Sequence, residues 1–398
     1  MTKRALGISY ITENQALYCA AMDYCGLLRQ AGYEADVHDA AAPGGLESLF
    51  RRLETEQYDF CYGMQGVGSM LSVGGQNLWE LKRIPFIGIH YDNPCHNIFN
   101  HANTSRYVAN IYCFASHLDI HRRYIGTQQI IAHAPFEAMP FLDPAAAFPK
   151  RSIRLLYIKS GGDLEECKQV FGGLPDALQK ILWEKITVAE QNPNLVICDL
   201  IQEIFDTFRA ERKADFDLFW GLARWVDVYI RRKRAITFVN WLKYQEGATI
   251  VGNGWDSIDK TGARASFRPS VPGPAIEALY RDTQIVCNTN PHGGDIIHER
   301  AASGLLHRCA VISDANQWWQ ERAGEFPFLT LFDWNKSLDE QLQPALQRRP
   351  TAEDLTVGQK AANRHFAAQR RCGKLLETVE AVRHFAETPA HALNAEKA

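Results

Sequence analysis

The segment that most constrains the fold is 285–314, IVCNTNPHGGDIIHERAASGLLHRCAVISD, where an apolar strand runs into a glycine- and histidine-containing loop, then a helix, then a second apolar strand. That order belongs to a parallel α/β sheet. Ligands of such sheets bind in the crevice at the carboxyl ends of the strands, where a helix that opens there presents free N–H groups and its positive dipole end. The loop and first turn carry His292, Asp295, His298, Glu299 and Arg300. A cation and a carboxylate beside a helix N-terminus suit a phosphorylated, hydroxyl-rich ligand such as a sugar nucleotide.

The same alternation runs through the chain. ALGISYI, YEADVHDA, YDFCYGM, IPFIGIHY and IYCFAS read as strands separated by helical stretches, and QQIIAHAPF closes this first series. The stretch AMPFLDPAAAFPKRS is rich in proline and alanine and reads as a hinge. RLLYIKSGG then starts a second series. Residues 175–245 are mostly helical, with Trp183, Trp220, Trp225 and Trp241 on apolar faces. The strands ATIVGNGW, QIVCNTN, AVISD and FPFLTLF follow, and 352–385 reads as one long helix before a frayed tail. At 398 residues the chain exceeds what one core usually spans. The expected division is an acceptor-side domain at 1–140, a hinge at 141–152, a donor domain at 153–351 with a helical insertion around 175–245, a crossing helix at 352–386 and a tail at 387–398.

Upstream of the HER segment stand Gly252-Asn253-Gly254-Trp255 after one strand, Tyr280 in a helix, and Asn288 ending the next strand. This order, with His298-Glu299-Arg300 opening a helix, resembles the group-1-like glycosyltransferases of the CgeB type over roughly 230–315. The resemblance implies an α/β GT-B fold, two Rossmann-like domains facing across a cleft, with a C-terminal helix crossing back to the first. It implies a nucleotide-sugar donor in the C-terminal domain and transfer to an acceptor hydroxyl on a glycan precursor, a protein such as flagellin, or a small metabolite. Neither a cofactor nor a metal is implied. Two departures stand out. Related enzymes carry a second carboxylate eight residues after the first, at positions aligned with Asp295 and Ser303, and they commonly have glycine at the position of Arg308. A binding or scaffold protein without turnover, and a nucleotide-sugar epimerase, are the competing readings.

His298, Arg300 and the helix amides are the expected stabilisers of a departing diphosphate. His90 and Asp92, in HYDNP after a buried strand, are candidate bases, against a plain turn and a satisfied histidine. His117 and His121 have the i, i+4 spacing of a metal pair but lack an evident third ligand. The loop GMQGVGSMLSVGG does not give the dinucleotide fingerprint and reads as a flexible acceptor-side loop. Net charge is −3 and the run Arg231–Arg234 reads as a solvated helix face, so nucleic acid is not the expected partner. Ten cysteines without a C-x-x-C pair read as reduced thiols. The N-terminus lacks a signal-peptide core and no run reaches spanning length, so a cytoplasmic protein is expected, with room for peripheral membrane contact.

Overall fold

The computed structural model describes residues 2–10, 16–127, 129–135, 150–210, 215–366 and 369–388. Most of the expected hinge and nearly all of the expected tail lie outside them. The chain divides into two compact units, Met1–Phe136 with Ala368–Ala398, and Glu137–Ala367.

The first unit contains β1 (Arg4–Ser9), β2 (Glu34–Asp39), β3 (Phe60–Met64), a small hairpin of β4 (Ser72–Val73) and β5 (Gln76–Asn77), β6 (Phe86–His90), β7 (Val108–Tyr112) and β8 (Ile131–His133). Six of these form a sheet in the order β2-β1-β3-β6-β7-β8, and every neighbouring pair is parallel. The central strands β3, β6 and β7 are buried along their whole length, which is why they read as unbroken apolar runs. The second unit repeats the plan with β9 (Ile153–Ile158), β10 (Ala248–Val251), β11 (Ser266–Arg268), β12 (Thr283–Cys287), β13 (Ala310–Asp314) and β14 (Leu329–Phe332), ordered β11-β10-β9-β12-β13-β14 and again all parallel. Its first crossover is long, with helices Glu165–Gly172, Asp176–Gln191, Ile197–Phe208 and Phe216–Leu242 between β9 and β10. No described helix is long and apolar enough to cross a membrane. All ten cysteines are free, and all but Cys19 are buried.

The stretch 352–386 read as one terminal helix carries the helices Ala352–Phe366 and Gln369–Glu387, with the two residues between them outside the described ones. The first belongs to the second unit, where Gln359 Nε2 donates to Leu306 O at 2.7 Å. The second belongs to the first unit, where Leu375, Val379 and Val382 are buried and Arg383 donates to Asp59 O at 3.0 Å. Apolar spacing is continuous across both, so it does not reveal the change of partner. The Gly-rich loop is not free. Trp79 Nε1 donates to Gly68 O at 2.8 Å, and Asn77 and Asn103 both donate to Ser69 O, at 2.9 and 2.7 Å. Nor is Arg231–Arg234 a solvated face. Successive helical residues point about 100° apart, so four in a row cover the whole circumference. Arg234 accordingly turns inward at 4 % exposure and donates to the carbonyls of Ala189 and Glu190, while Lys233 pairs with Glu190 outside.

Candidate functional site

At the carboxyl end of the second sheet, the loops after β9 and β10 lock together. Lys159 N donates to Val251 O at 2.9 Å, Gly161 N to Asn253 O at 2.8 Å, and Trp255 Nε1 to Lys159 O at 3.0 Å. The approach is close enough to require glycine. A Cβ on Gly252, whose φ is +147°, would stand 2.2 Å from Lys159 O, and one on Gly161 would stand 2.3 Å from Gly254 O and 2.6 Å from the Trp255 ring. Gly-Asn-Gly-Trp is therefore a clasp that fixes the backbone of Lys159. Trp255, 4 % exposed, is no stacking platform, and Asn253 is engaged with Ser270 in two reciprocal bonds at 3.3 and 3.0 Å. Gly161→Ala is expected to cost ~1–3 kcal/mol through overpacking, read as a lowered urea midpoint at unchanged slope.

Next to this clasp, the ends of β12 and β13 form a buried polar network. Asn288 Nδ2 donates to Asn290 Oδ1 at 2.9 Å and to Ser313 Oγ at 3.0 Å; Asn290 in turn donates its backbone N–H and its Nδ2 to Asp314 Oδ1 at 2.7 and 2.8 Å. Trp334 Nε1 closes it at 3.0 Å on Asp314 Oδ2. Arg300 belongs to this frame. Its Nη1 donates to Ile158 O at 2.9 Å, its Nη2 to Thr289 O at 3.2 Å and its Nε to Asn288 Oδ1 at 3.3 Å. At 7 % exposure the guanidinium pins the ends of β9 and β12 to the HER helix, Glu299–Leu306.

A half-buried cation beside this frame is Lys159, which sequence reasoning missed. It follows the central strand β9, and its Nζ donates to Thr289 Oγ1 at 3.3 Å. Burial, then Arg300 and Arg231, hold its ammonium well below the ordinary lysine range, against the pull of Asp314 and Asp227. The available signal was a lysine directly after an apolar strand and before two glycines, within YIKSGG.

His298 caps the HER helix. Its Nδ1 lies 2.6 Å from Glu299 Oε2 and 3.5 Å from Arg300 N. The short contact to a carboxylate decides the tautomer: Nδ1 carries the proton and donates to Glu299, so the Arg300 N–H is left at the open helix end. Burial and Arg300 push the imidazole down to about 4, Glu299 opposing. Desolvation would raise the Glu299 carboxyl, but His298 and Arg300 bring it to about 2. That side chain is 57 % exposed, so it is an ionised acceptor within reach of a ligand hydroxyl.

Other expected residues lie elsewhere. His292 is buried with Nε2 on Ala189 O at 2.9 Å, and burial lowers it to about 3. Asp295 is half-buried in the loop after β12. Ser303 is buried within the HER helix, and Tyr280 is buried against His307 with ring centroids 5.5 Å apart. Arg308 has a φ of 57°, the left-handed conformation that favours glycine, and Arg151 holds the carbonyls of His307 and Arg308 at 2.6 and 2.7 Å.

In the first unit, His90 is fully buried. Its Nε2 meets Asn110 Oδ1 at 2.8 Å, its ring lies 3.9 Å from that of His101, and burial lowers it to about 3. It has no surface from which to deprotonate an acceptor. Asp92, half-buried, accepts from Gln65 Nε2 at 2.8 Å. His121 is committed to Tyr112 and Thr127 at 2.8 and 2.9 Å, and among the described residues no group of three or more His, Cys, Asp or Glu is placed to hold a metal ion.

No protein-family profile matches this sequence, and no curated protein matches it by sequence. Solved structures do match in fold. AviGT4, a glycosyltransferase of avilamycin A biosynthesis, aligns with a TM-score of 0.51 at 11% identity over 96% of this chain and 98% of its own. Anabaena Alr3699/HepE in complex with UDP-glucose aligns at 0.50 and 14%, over 95% and 99% of the two chains. Sucrose-phosphate synthase from Thermosynechococcus elongatus aligns at 0.50 and 12%, over 95% and 99%. Two six-stranded parallel sheets, each flanked by helices, give this chain the GT-B fold of those glycosyltransferases.

Proposed function

We propose that this protein is a glycosyltransferase that holds a nucleotide-sugar donor at the carboxyl edge of the second sheet and transfers the sugar to an acceptor hydroxyl. The observation that carries the reading is the convergence of three features at one sheet edge: the under-compensated Lys159, the open N-terminus of the HER helix, and the exposed Glu299 carboxylate. Lys159 and the helix amides supply positive charge for a diphosphate. Glu299 supplies paired acceptors for sugar or ribose hydroxyls, in place of the second carboxylate that is missing at Ser303. The donor complex recorded for HepE agrees in ligand class. The CgeB-like resemblance of 230–315 supports the same donor unit, the acceptor being a glycan precursor, protein or metabolite. On this reading the chemistry needs no cofactor beyond the donor itself.

A second reading, a sugar-nucleotide-binding protein without turnover, is favoured by the internal commitment of Arg300. Thermal unfolding against UDP, GDP, CDP, dTDP and ADP tests the donor site. A ligand at ~100 times its dissociation constant adds ~2.7 kcal/mol. One nucleoside diphosphate is expected to shift the melting temperature selectively, and Lys159→Met to abolish that shift while melting unchanged without ligand. Absence of any shift sinks the donor reading. Binding without release of nucleoside diphosphate from any nucleotide sugar and acceptor leaves the second.

A further inference from the structure

His298 is held in an orientation that the binding of phosphate alone does not explain. Nδ1–H given to Glu299 Oε2 at 2.6 Å sets the ring's orientation, and the backbone N–H given to Asn290 Oδ1 at 3.2 Å holds the residue at the helix start. Its Nε2 has no hydrogen-bond partner among the described residues, and the side chain is 14 % exposed. The charged groups acting on it are Arg300 and Glu299 of its own helix and Lys159 of the loop after β9. Behind Lys159 stand Arg231 and Asp227 of the helix Phe216–Leu242, and Asp314 of β13. In the protein alone burial, and after it Arg300, keeps the imidazole neutral. A diphosphate placed against Lys159 and the HER amides offsets the cationic repulsion and offers an oxygen to Nε2, and both favour the charged ring against its desolvation.

We propose that His298 is a catalytic residue of this transfer: Nε2 takes up a proton as the donor's diphosphate arrives and delivers it to the departing diphosphate oxygen. The inference rests on the donor reading above. The bond that breaks joins the anomeric carbon to a diphosphate oxygen, whose electron pair stays on that oxygen and accepts the proton from Nε2. The bond that forms joins the anomeric carbon to the acceptor oxygen, whose own proton passes to solvent. The imidazole returns to its neutral form, and Glu299 keeps Nδ1–H in place throughout. A neutral imidazole that charges only with the donor present leaves the site less cationic between turnovers, which favours release of the product diphosphate at higher pH.

The test is calorimetric titration of the whole protein with whichever of UDP, GDP, CDP, dTDP or ADP stabilises it, at pH 7 in PIPES and in Tris, whose ionisation heats differ. The wild type is expected to take up between about half a proton and one proton per diphosphate bound. His298→Asn, which places a polar side chain compatible with a helix start at the same position, is expected to bind with no uptake and to lower kcat by about 100-fold or more. Binding to the wild type without proton uptake overturns the proposal and leaves the donor site standing. Uptake that persists in His298→Asn overturns it, the proton then residing on Lys159 or on the terminal phosphate of the ligand. If none of the five diphosphates binds, the donor reading falls and the proposal falls with it.

Discussion

Between pH 7.5 and pH 5 the protein is expected to lose several kcal/mol of stability, with His292 and His298 contributing in the second unit and one buried imidazole cluster contributing in the first. Tyr112 OH sits between His101 Nδ1 and His121 Nδ1, each at 2.8 Å, and His121 Nε2 lies 2.9 Å from Thr127 Oγ1. Thr127 donates to Gln129 Oε1 at 3.2 Å, so it accepts from His121 Nε2–H; Tyr112 then donates to His121 and accepts from His101. Every proton in this chain is placed for neutral rings. Burial lowers His90 to about 3, His121 to about 4 and His101 well below its usual range. The sign follows from the depressed values. Above about pH 6.5 the rings are neutral whether folded or not; as pH falls through 6.5 the unfolded chain binds protons that the folded one refuses, until the folded values are reached. At pH 5 His90 and His121 cost ~2 kcal/mol each, and His101 adds to the loss in the same direction, against a typical total of ~5–15. Urea midpoints at pH 7.5, 6.5, 5.5 and 5 check this, with His121→Gln expected to shallow the dependence by about one proton. A flat profile to pH 5 refutes it.

These histidines also show where the sequence stopped being legible. A histidine at the end of an apolar strand declares its position on the sheet but not its depth, and His90 is buried by the ring of His101, eleven residues on, and by Asn110 of the next strand. The strands and the HER helix were legible because burial on both faces leaves continuous apolar runs and because a capping residue marks the helix start. Glu299 and His298 were placed at the site for that reason. Lys159 was not, since a lysine after a strand is common and its two repelling arginines come from residues 231 and 300. The Gly-Asn-Gly-Trp element was legible as a special turn, but its purpose lay in a second glycine pair, Gly161 and Gly162, some ninety residues earlier. Pairings across such separations leave no local period to read.

Arg300 was misread for the same reason, and it carries the second large prediction. At a helix N-terminus an arginine suggests an anion partner, but the carbonyls of Ile158 and Thr289, from two other loops, reach it first. Arg300→Ala removes the donor from both carbonyls and from Asn288 Oδ1, in a place water does not reach, and opens a cavity between β9, β12 and the HER helix. Unsatisfied buried acceptors cost ~1–3 kcal/mol each, so a loss of ~3–5 kcal/mol is expected. Arg300→Lys recovers only part of it, because one ammonium cannot span three acceptors arranged around a planar fork. Lys159→Met removes a 3.3 Å bond together with a poorly compensated charge, and should leave stability within ~1 kcal/mol of the wild type. Urea unfolding followed by tryptophan fluorescence, beside nucleoside diphosphate titration, separates the two roles. If Arg300→Ala kept its stability and lost only the diphosphate, the guanidinium would be a ligand-binding group after all; if Lys159→Met unfolded, the ammonium would belong to the frame.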